Sequence, residues 1–430
     1  MMQPWFLEAK LGIFIHWGIY AVDGTLESWA FYNEELSYEK YMDQLDRFSA
    51  SRWDPDAWAD LIERAGARYA VLTSKHHDGV ALWDTQLSDL NIVKKTPAGR
   101  DLIRPFCDAL RKRGLKVGLY FSHLDWSHPD YAPIPVGQRT ARTNQTDAYE
   151  AWVDGPQNPA WQRFLQFQRG QLQELCQNYS PDLLWFDGDW VPDVDEYWRM
   201  DELRVLLHEW RPGVVLNSRM RGHGDYKTPE QGLPITRPDA AWEFCVTIND
   251  SWGYRGHDQN HKSPRQLVHM FCECIGMGGN MLLDVGPMED GTITPEQTER
   301  LEALGDWIRK HAEAVYPTEA GLPPGHFYGP STLTKDRETL YVFLFDRPRD
   351  EIAVKGIRNP IKRVSVVDSG TEIAQRKLGG APWLNIPGIL WITVPETELD
   401  SYATVLKIEL EGQLDLYTGA GQADPKDPIP

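Results

Sequence analysis

The chain has 430 residues, 41% hydrophobic and 25% charged, enough to bury a large core and carry a smaller second domain. Its formal charge of −19 excludes the basic face that nucleic-acid binding needs. No run approaches the roughly 18 apolar residues of a membrane span, which excludes a spanning helix as a membrane partner.

The Met-Met-Gln-Pro-Trp start has no basic segment followed by an apolar one, so no signal peptide is read and a cytoplasmic location is expected. From there, short apolar runs alternate with amphipathic stretches. Strands are expected at Gly12–His16, Tyr69–Ser74, Lys116–Ser122, Leu183–Phe186, Val214–Asn217 and Met281–Val285. Helices are expected between and after them at Pro55–Ala65, Leu102–Arg113, Ala160–Asn178, Glu202–Trp210, Pro264–Met277 and Glu296–Ala312. Asp54-Pro55 and Ser263-Pro264 place a capping side chain before a proline in the first turn, and Gly66 and Gly114 follow helix ends. Strands that are apolar throughout suit a parallel sheet covered on its outer face. Residues 1–316 are therefore expected to form an α/β domain, a (β/α)8-like TIM barrel, with an open doubly wound sheet as the alternative.

From Pro317 the pattern changes. Strand-like runs at Leu340–Phe345, Glu351–Val354, Arg363–Val367, Ile389–Val394 and Ala403–Ile408, separated by Gly, Pro and Asp, predict a small antiparallel β-sandwich over 317–412. The polar, proline-rich residues 413–430 are expected to be a mobile tail. The five cysteines form an odd set without metal-type spacing, and Cys272 and Cys274 are a lone C-x-C inside a helical run. Reduced, buried thiols are expected.

Function is sought at the carboxyl ends of barrel strands. Those ends read His16-Trp17-Gly18, Lys75-His76-His77-Asp78-Gly79, Ser122-His123-Leu124-Asp125-Trp126, Trp185-Phe186-Asp187-Gly188-Asp189-Trp190 and Asn217-Ser218-Arg219. Polar and aromatic residues gathered at five strand ends describe a concave site for a polyhydroxylated ligand, and the 18 tryptophans of the chain fit that reading. Asp187, at the mouth of Leu-Leu-Trp-Phe, is either a turn cap or a carboxylate nucleophile beside an apolar wall. His76, His77 and Asp187 could alternatively hold a metal. A metal-dependent hydrolase on this fold would show His-x-His at the first strand, where the chain reads Ile15-His16-Trp17-Gly18. Neutral imidazoles bonding to sugar hydroxyls explain the pair without a metal or cofactor.

The runs Ala9–Val22, Ala65–Trp83, Leu183–Trp190, Ser251–Tyr254 and Gly279–Pro287 resemble glycoside hydrolase family 29 in content and order across the whole barrel. The resemblance implies an exo-acting, retaining, metal-free α-L-fucosidase acting on fucosylated oligosaccharides or glycosides. It implies Asp187 as nucleophile and His16, His76, His77, Trp185 and Arg219 around the sugar, with Trp252 against its methyl group. The family often has Glu-Trp adjacent where this chain reads Glu27-Ser28-Trp29, and on that match Glu27 and Trp29 join the substrate-binding set. The family's Tyr-Tyr-Ser is Tyr120-Phe121-Ser122 here. Two glutamates compete for the general acid/base. Glu230, in a Gly- and Pro-bounded Thr-Pro-Glu loop, is favoured over Glu243, whose strand-like run suits holding the pocket together. A catalytically silent fucose-binding protein is the remaining alternative. A homo-oligomer is compatible with the sequence.

Overall fold

The computed structural model describes residues 2–33, 35–131, 155–190, 195–346 and 351–419. These fall into two compact units, one running to Lys262 and including Asn280–Ala303, the other comprising Ser263–Gly279 and the chain from Leu304. The division thus falls before residue 316, because the helix Pro264–Gly276 and the later part of the helix Pro295–Lys310 group with the second unit.

The first unit is organised on a seven-stranded parallel sheet: β1 (Leu11–Ile15), β2 (Tyr69–Lys75), β3 (Lys116–Ser122), β4 (Leu183–Asp187), β5 (Val215–Leu216), β6 (Glu243–Thr247) and β7 (Asn280–Val285). Its order is β5-β4-β3-β2-β1-β7-β6. Apart from Lys116, every residue of these strands is buried, the signature of a sheet covered on both faces. At the free edges, the segment 225–231 runs beside both β5 and β6. Asp225 N–H donates to Leu216 O (2.7 Å), Glu243 N–H to Lys227 O (2.9 Å) and Gln231 N–H to Cys245 O (3.0 Å).

The expected helices form where the caps are. Asp54 accepts from Ala57 N–H (3.1 Å) at the start of Pro55–Arg64, and Ser263 and Gln266 form a reciprocal capping box at Pro264–Gly276. Gly66 (φ 83°) and Gly114 (φ 71°) end their helices in the left-handed region. Three expectations differ in detail. The stretch Ala160–Asn178 is an α-helix only over Pro159–Glu174, then a π-helical turn Leu175–Tyr179 that stops at left-handed Ser180. The last helix ends at Lys310, and Ala312–Val315 is a separate turn. Val214–Asn217 shrinks to Val215–Leu216 because the Asn217 amide takes over the next pairing, accepting from Phe186 N–H (2.9 Å) and donating to Phe186 O (2.8 Å).

The second unit contains two antiparallel sheets. One has the order β12-β15-β10-β9-β8, built from β8 (Thr318–Ala320), β9 (Ser331–Thr334), β10 (Thr339–Leu344), β12 (Ile361–Val366) and β15 (Thr404–Leu410). The other, β11-β14-β13, comprises β11 (Glu351–Val354), β13 (Gln375–Leu378) and β14 (Ile389–Thr393). Both feed one apolar core, with Leu340, Val342 and Leu406 from the first and Ile352, Val354, Leu390 and Ile392 from the second. Leu414 and Leu416 pack on that core, and Asp415 N–H donates to Asn359 Oδ1 (2.7 Å). Residues 420–430 lie outside the described residues. All five cysteines are buried.

Candidate active site

Side chains alternate along a strand, so residues two apart share a face. Phe14 and His16 on β1 and its end, Tyr120 and Ser122 on β3, and Trp185 and Asp187 on β4 are such pairs. At the carboxyl ends of these strands lies a cavity of about 240 Å³, lined by Phe14, His16, Glu27, Trp29, His76, Tyr120, Trp185, Asp187, Trp190, Arg219, Glu230 and Trp252.

Asp187 is 9% exposed and fully engaged. Its Oδ1 accepts from Arg219 Nη1 (2.6 Å) and Gly188 N–H (3.0 Å), and its Oδ2 from the Tyr120 hydroxyl (3.0 Å). The other arm of the same guanidinium, Nη2, bonds Glu230 Oε2. One arginine thus spans the two carboxylates. Burial alone would lower the Arg219 pKa, yet Asp187 and Glu230 hold it above its ordinary value, so it stays a cation. Its guanidinium carbon sits 4.6 Å from the centre of the Trp185 ring.

The three histidines are each tied at Nδ1. His16 meets Asp284 Oδ1 at 2.7 Å, His76 meets Ser28 Oγ at 2.5 Å, and His77 meets Ser122 Oγ at 2.6 Å. Burial lowers the pKa of His16 and His76 well below the usual imidazole range and that of His77 to about 3, so they are neutral at neutral pH. His77 stands behind the cavity lining, its Nε2 3.6 Å from Asp187 Oδ2. Among the described residues, no group of three or more His, Cys, Asp or Glu side chains is arranged to hold a metal ion.

Glu27 is buried at φ 30°, an unusual conformation for a residue with a side chain, and Oε1 is pinned by Gly253 N–H (2.5 Å). Burial raises its pKa to about 7. Trp252, the neighbour of Gly253, lies 5.0 Å from His16 between ring centres. Glu243 does not line the cavity. It is fully buried and its carboxylate is taken up by the Tyr69 hydroxyl, Trp185 Nε1 (2.8 Å) and the Tyr226 hydroxyl (3.2 Å). It therefore anchors the Trp185 ring from behind.

Nine sequence-derived residues thus line one cavity, with His77 and Glu243 behind them. Phe14, Tyr120 and Trp190 were not among the expected contacts. The two-residue spacing from His16 and Ser122 points to the first two, and Trp190 closes the Asp187-Gly188-Asp189-Trp190 run. Asp284, Ser28 and Ser122 carried no signal for their histidine contacts, which only the fold creates.

Comparison with known proteins gives a consistent picture. A family model described as Alpha-L-fucosidase matches residues 1–313. The tissue alpha-L-fucosidase of Bos taurus is 34% identical over 74% of this chain and 69% of its own length, and that of Homo sapiens 33% over 74% and 70%. Among solved structures, alpha-L-fucosidase isoenzyme 1 from Paenibacillus thiaminolyticus superposes with a TM-score of 0.84 at 34% identity, covering 95% of this chain and 98% of that one. A Bacteroides thetaiotaomicron alpha-L-fucosidase trapped as a covalent intermediate with 2-fluoro-fucosyl fluoride gives a TM-score of 0.81 at 25% identity, covering 95% of each chain.

Proposed function

The chain belongs to the alpha-L-fucosidase family and is a glycoside hydrolase, and from that premise we propose that it removes terminal α-L-fucosyl residues with retention, Asp187 acting as nucleophile and Glu230 as general acid/base. The observation that carries the residue assignment is the single guanidinium of Arg219 bonded to both carboxylates. Retaining enzymes work with two carboxyls about 5–5.5 Å apart, and a pair spanned by one guanidinium is compatible with that arrangement. The fold is read in the same terms: segment 225–231 completes a (β/α)8-type barrel between β5 and β6, and the two antiparallel sheets form a sandwich.

In the first step an Asp187 oxygen bonds to the anomeric carbon while the bond to the leaving oxygen breaks, and Glu230 gives that oxygen its proton. In the second, Glu230 takes a proton from water, whose oxygen replaces Asp187 at the anomeric carbon with a second inversion. Arg219 and Tyr120 hold the Asp187 carboxylate in one orientation, so it does not rotate out of line during attack. The Glu230 side chain is 38% exposed, which leaves it free to turn from Arg219 toward the glycosidic oxygen. The neutral imidazoles of His16 and His76 and the Glu27 side chain face the sugar hydroxyls, and Trp252 offers an apolar surface for the methyl group.

The test is a pair of variants. Asp187→Gly is expected to lose turnover by several orders of magnitude, with added azide restoring part of it and yielding the β-fucosyl azide. Glu230→Ala is expected to hurt glycosides with poor leaving groups far more than activated aryl fucosides. Unimpaired Asp187→Gly turnover, or the leaving-group pattern in Glu243→Ala instead of Glu230→Ala, overturns the assignment.

A further inference from the structure

The cavity of about 240 Å³ has the volume of on the order of eight water molecules, which suits one monosaccharide ring and not two. Whatever is attached to that ring must leave through the rim. Of the aromatic side chains around the cavity, Phe14, Tyr120 and Trp185 are buried and cannot meet an outgoing group, Trp29 and Trp252 are half-buried, and Trp190, 39% exposed, is the most open of the indoles. Trp190 follows Asp187 by three residues and shares the lining with Glu230, the carboxylate that reads the leaving oxygen in the mechanism above.

The ring is also held in place by a built turn. Gly188 takes φ 82°, and a Cβ there would come within 2.4 Å of Leu124 Cγ, so only glycine lets the chain reverse this tightly after Asp187. The next residue, Asp189, is clamped by Arg221, whose N–H donates to Oδ2 (2.8 Å) and whose Nη1 donates to the backbone oxygen (2.9 Å). The His77 ring meets the indole edge-on at 6.0 Å. Arg219 bonds Asp187 and Glu230, and Arg221, two residues on, fixes the turn that carries Trp190. The same short segment therefore sets both the catalytic carboxylates and the indole.

From this geometry we infer that Trp190 is the platform for the first ring of the leaving group, selecting fucosides whose aglycone is a sugar or aromatic ring able to stack on the indole. This rests on the fucosidase reading of the site. Stacked aromatic contacts contribute modestly, so the effect is one of selectivity and not of basal chemistry.

The experiment compares Trp190→Ala, Trp190→Phe and the unaltered enzyme on α-L-fucosyl fluoride, which has no ring in its leaving group, and on an aryl fucoside and a fucosylated disaccharide. Trp190→Ala is expected to lose about three- to tenfold in kcat/KM on the two ring-bearing substrates, mainly through KM. The loss should be several-fold smaller on the fluoride and in the inhibition constant for free L-fucose than on the ring-bearing substrates. Trp190→Phe should recover most of the loss. Equal losses on fluoride and ring-bearing substrates, or no loss on any, overturn the platform role. If the unaltered enzyme fails to cleave the fluoride, the fucosidase reading itself falls, a result distinct from a failed selectivity test.

Discussion

Tyr120 shows how a residue named only in passing by its sequence pattern acquires a role from its neighbours. Its hydroxyl donates to Asp187 Oδ2 at 3.0 Å, while its ring stacks between His76 (5.5 Å) and Trp185 (5.7 Å). Tyr120→Phe keeps the stacking and removes only the donor. A hydrogen bond to a charged acceptor contributes about 1.5–3 kcal/mol to the folded state, so the melting temperature should fall by a few degrees, and kcat/KM on an activated aryl fucoside should fall about tenfold or more as the carboxylate loses its fixed orientation. A variant with undiminished kcat/KM would show that Arg219 and Gly188 suffice to orient the carboxylate. At this scale the strand-end motifs made much of the lining legible: His16, His76, Trp185, Asp187 and Arg219 all sit where a parallel strand delivers its last side chains. Their supports were not legible. Asp284 meets His16 across 268 residues of sequence, and Ser122 meets His77 across 45, separations that carry no local pattern.

Glu243 belongs to the scale of the element. The run around Glu243 was read as strand-like without being placed in the sheet, and β6 lies at its edge, pairing with β7. The stretch around Glu230 was read as a Gly- and Pro-bounded loop, although the backbone bonds of 225–231 run along β5 and β6. Glu243 is the first residue of β6, and its carboxylate gathers Tyr69, Trp185 and Tyr226 beneath the cavity. Burial raises its pKa to about 7, and the three hydrogen bonds only partly offset this. Raised in the folded state above an ordinary glutamate value near 4.5, this group binds its proton more tightly folded than unfolded. Between pH 4.5 and about 7 the unfolded chain ionises it first, so its contribution to stability falls as pH rises through that window and levels off above it. Glu243→Gln lacks the titration. The melting temperature of the unaltered protein relative to Glu243→Gln should therefore decline by several degrees from pH 4.5 to 7, a loss on the order of 3 kcal/mol. A difference independent of pH would place the charge of Glu243 on an unperturbed group.

The two units had different legibility at the scale of the whole molecule. Six of the seven parallel strands were expected within two residues of their observed limits, because apolar runs bounded by caps and glycines leave few alternatives. In the second unit β8, β9 and β13 were missed. The burial of β13 explains its case, since all four residues are exposed and it has no apolar period to read. The cavity itself belongs wholly to the first unit, which leads to a prediction about products. A pocket sized for one ring, with His77 and Glu243 buried behind its lining, has room for the end of a glycan and not for a chain continuing beyond the fucose. Fucosylated oligosaccharides should therefore release only free fucose, never a fucose-terminated fragment, and a fucose substituted on its own hydroxyls should resist cleavage. The proposed two-step route inverts the anomeric carbon twice, so the first product in the NMR tube should be the α-anomer, with the β-anomer growing in by mutarotation. Activity should also persist after exhaustive dialysis against a chelator, since the Arg219 cation already bonds Asp187 and Glu230 and, among the described residues, no three His, Cys, Asp or Glu side chains are grouped to hold a metal ion. Initial release of β-fucose would mean that water, not Asp187, attacks the anomeric carbon, and the two carboxylates bridged by Arg219 would then have to act as the base and acid of a single displacement.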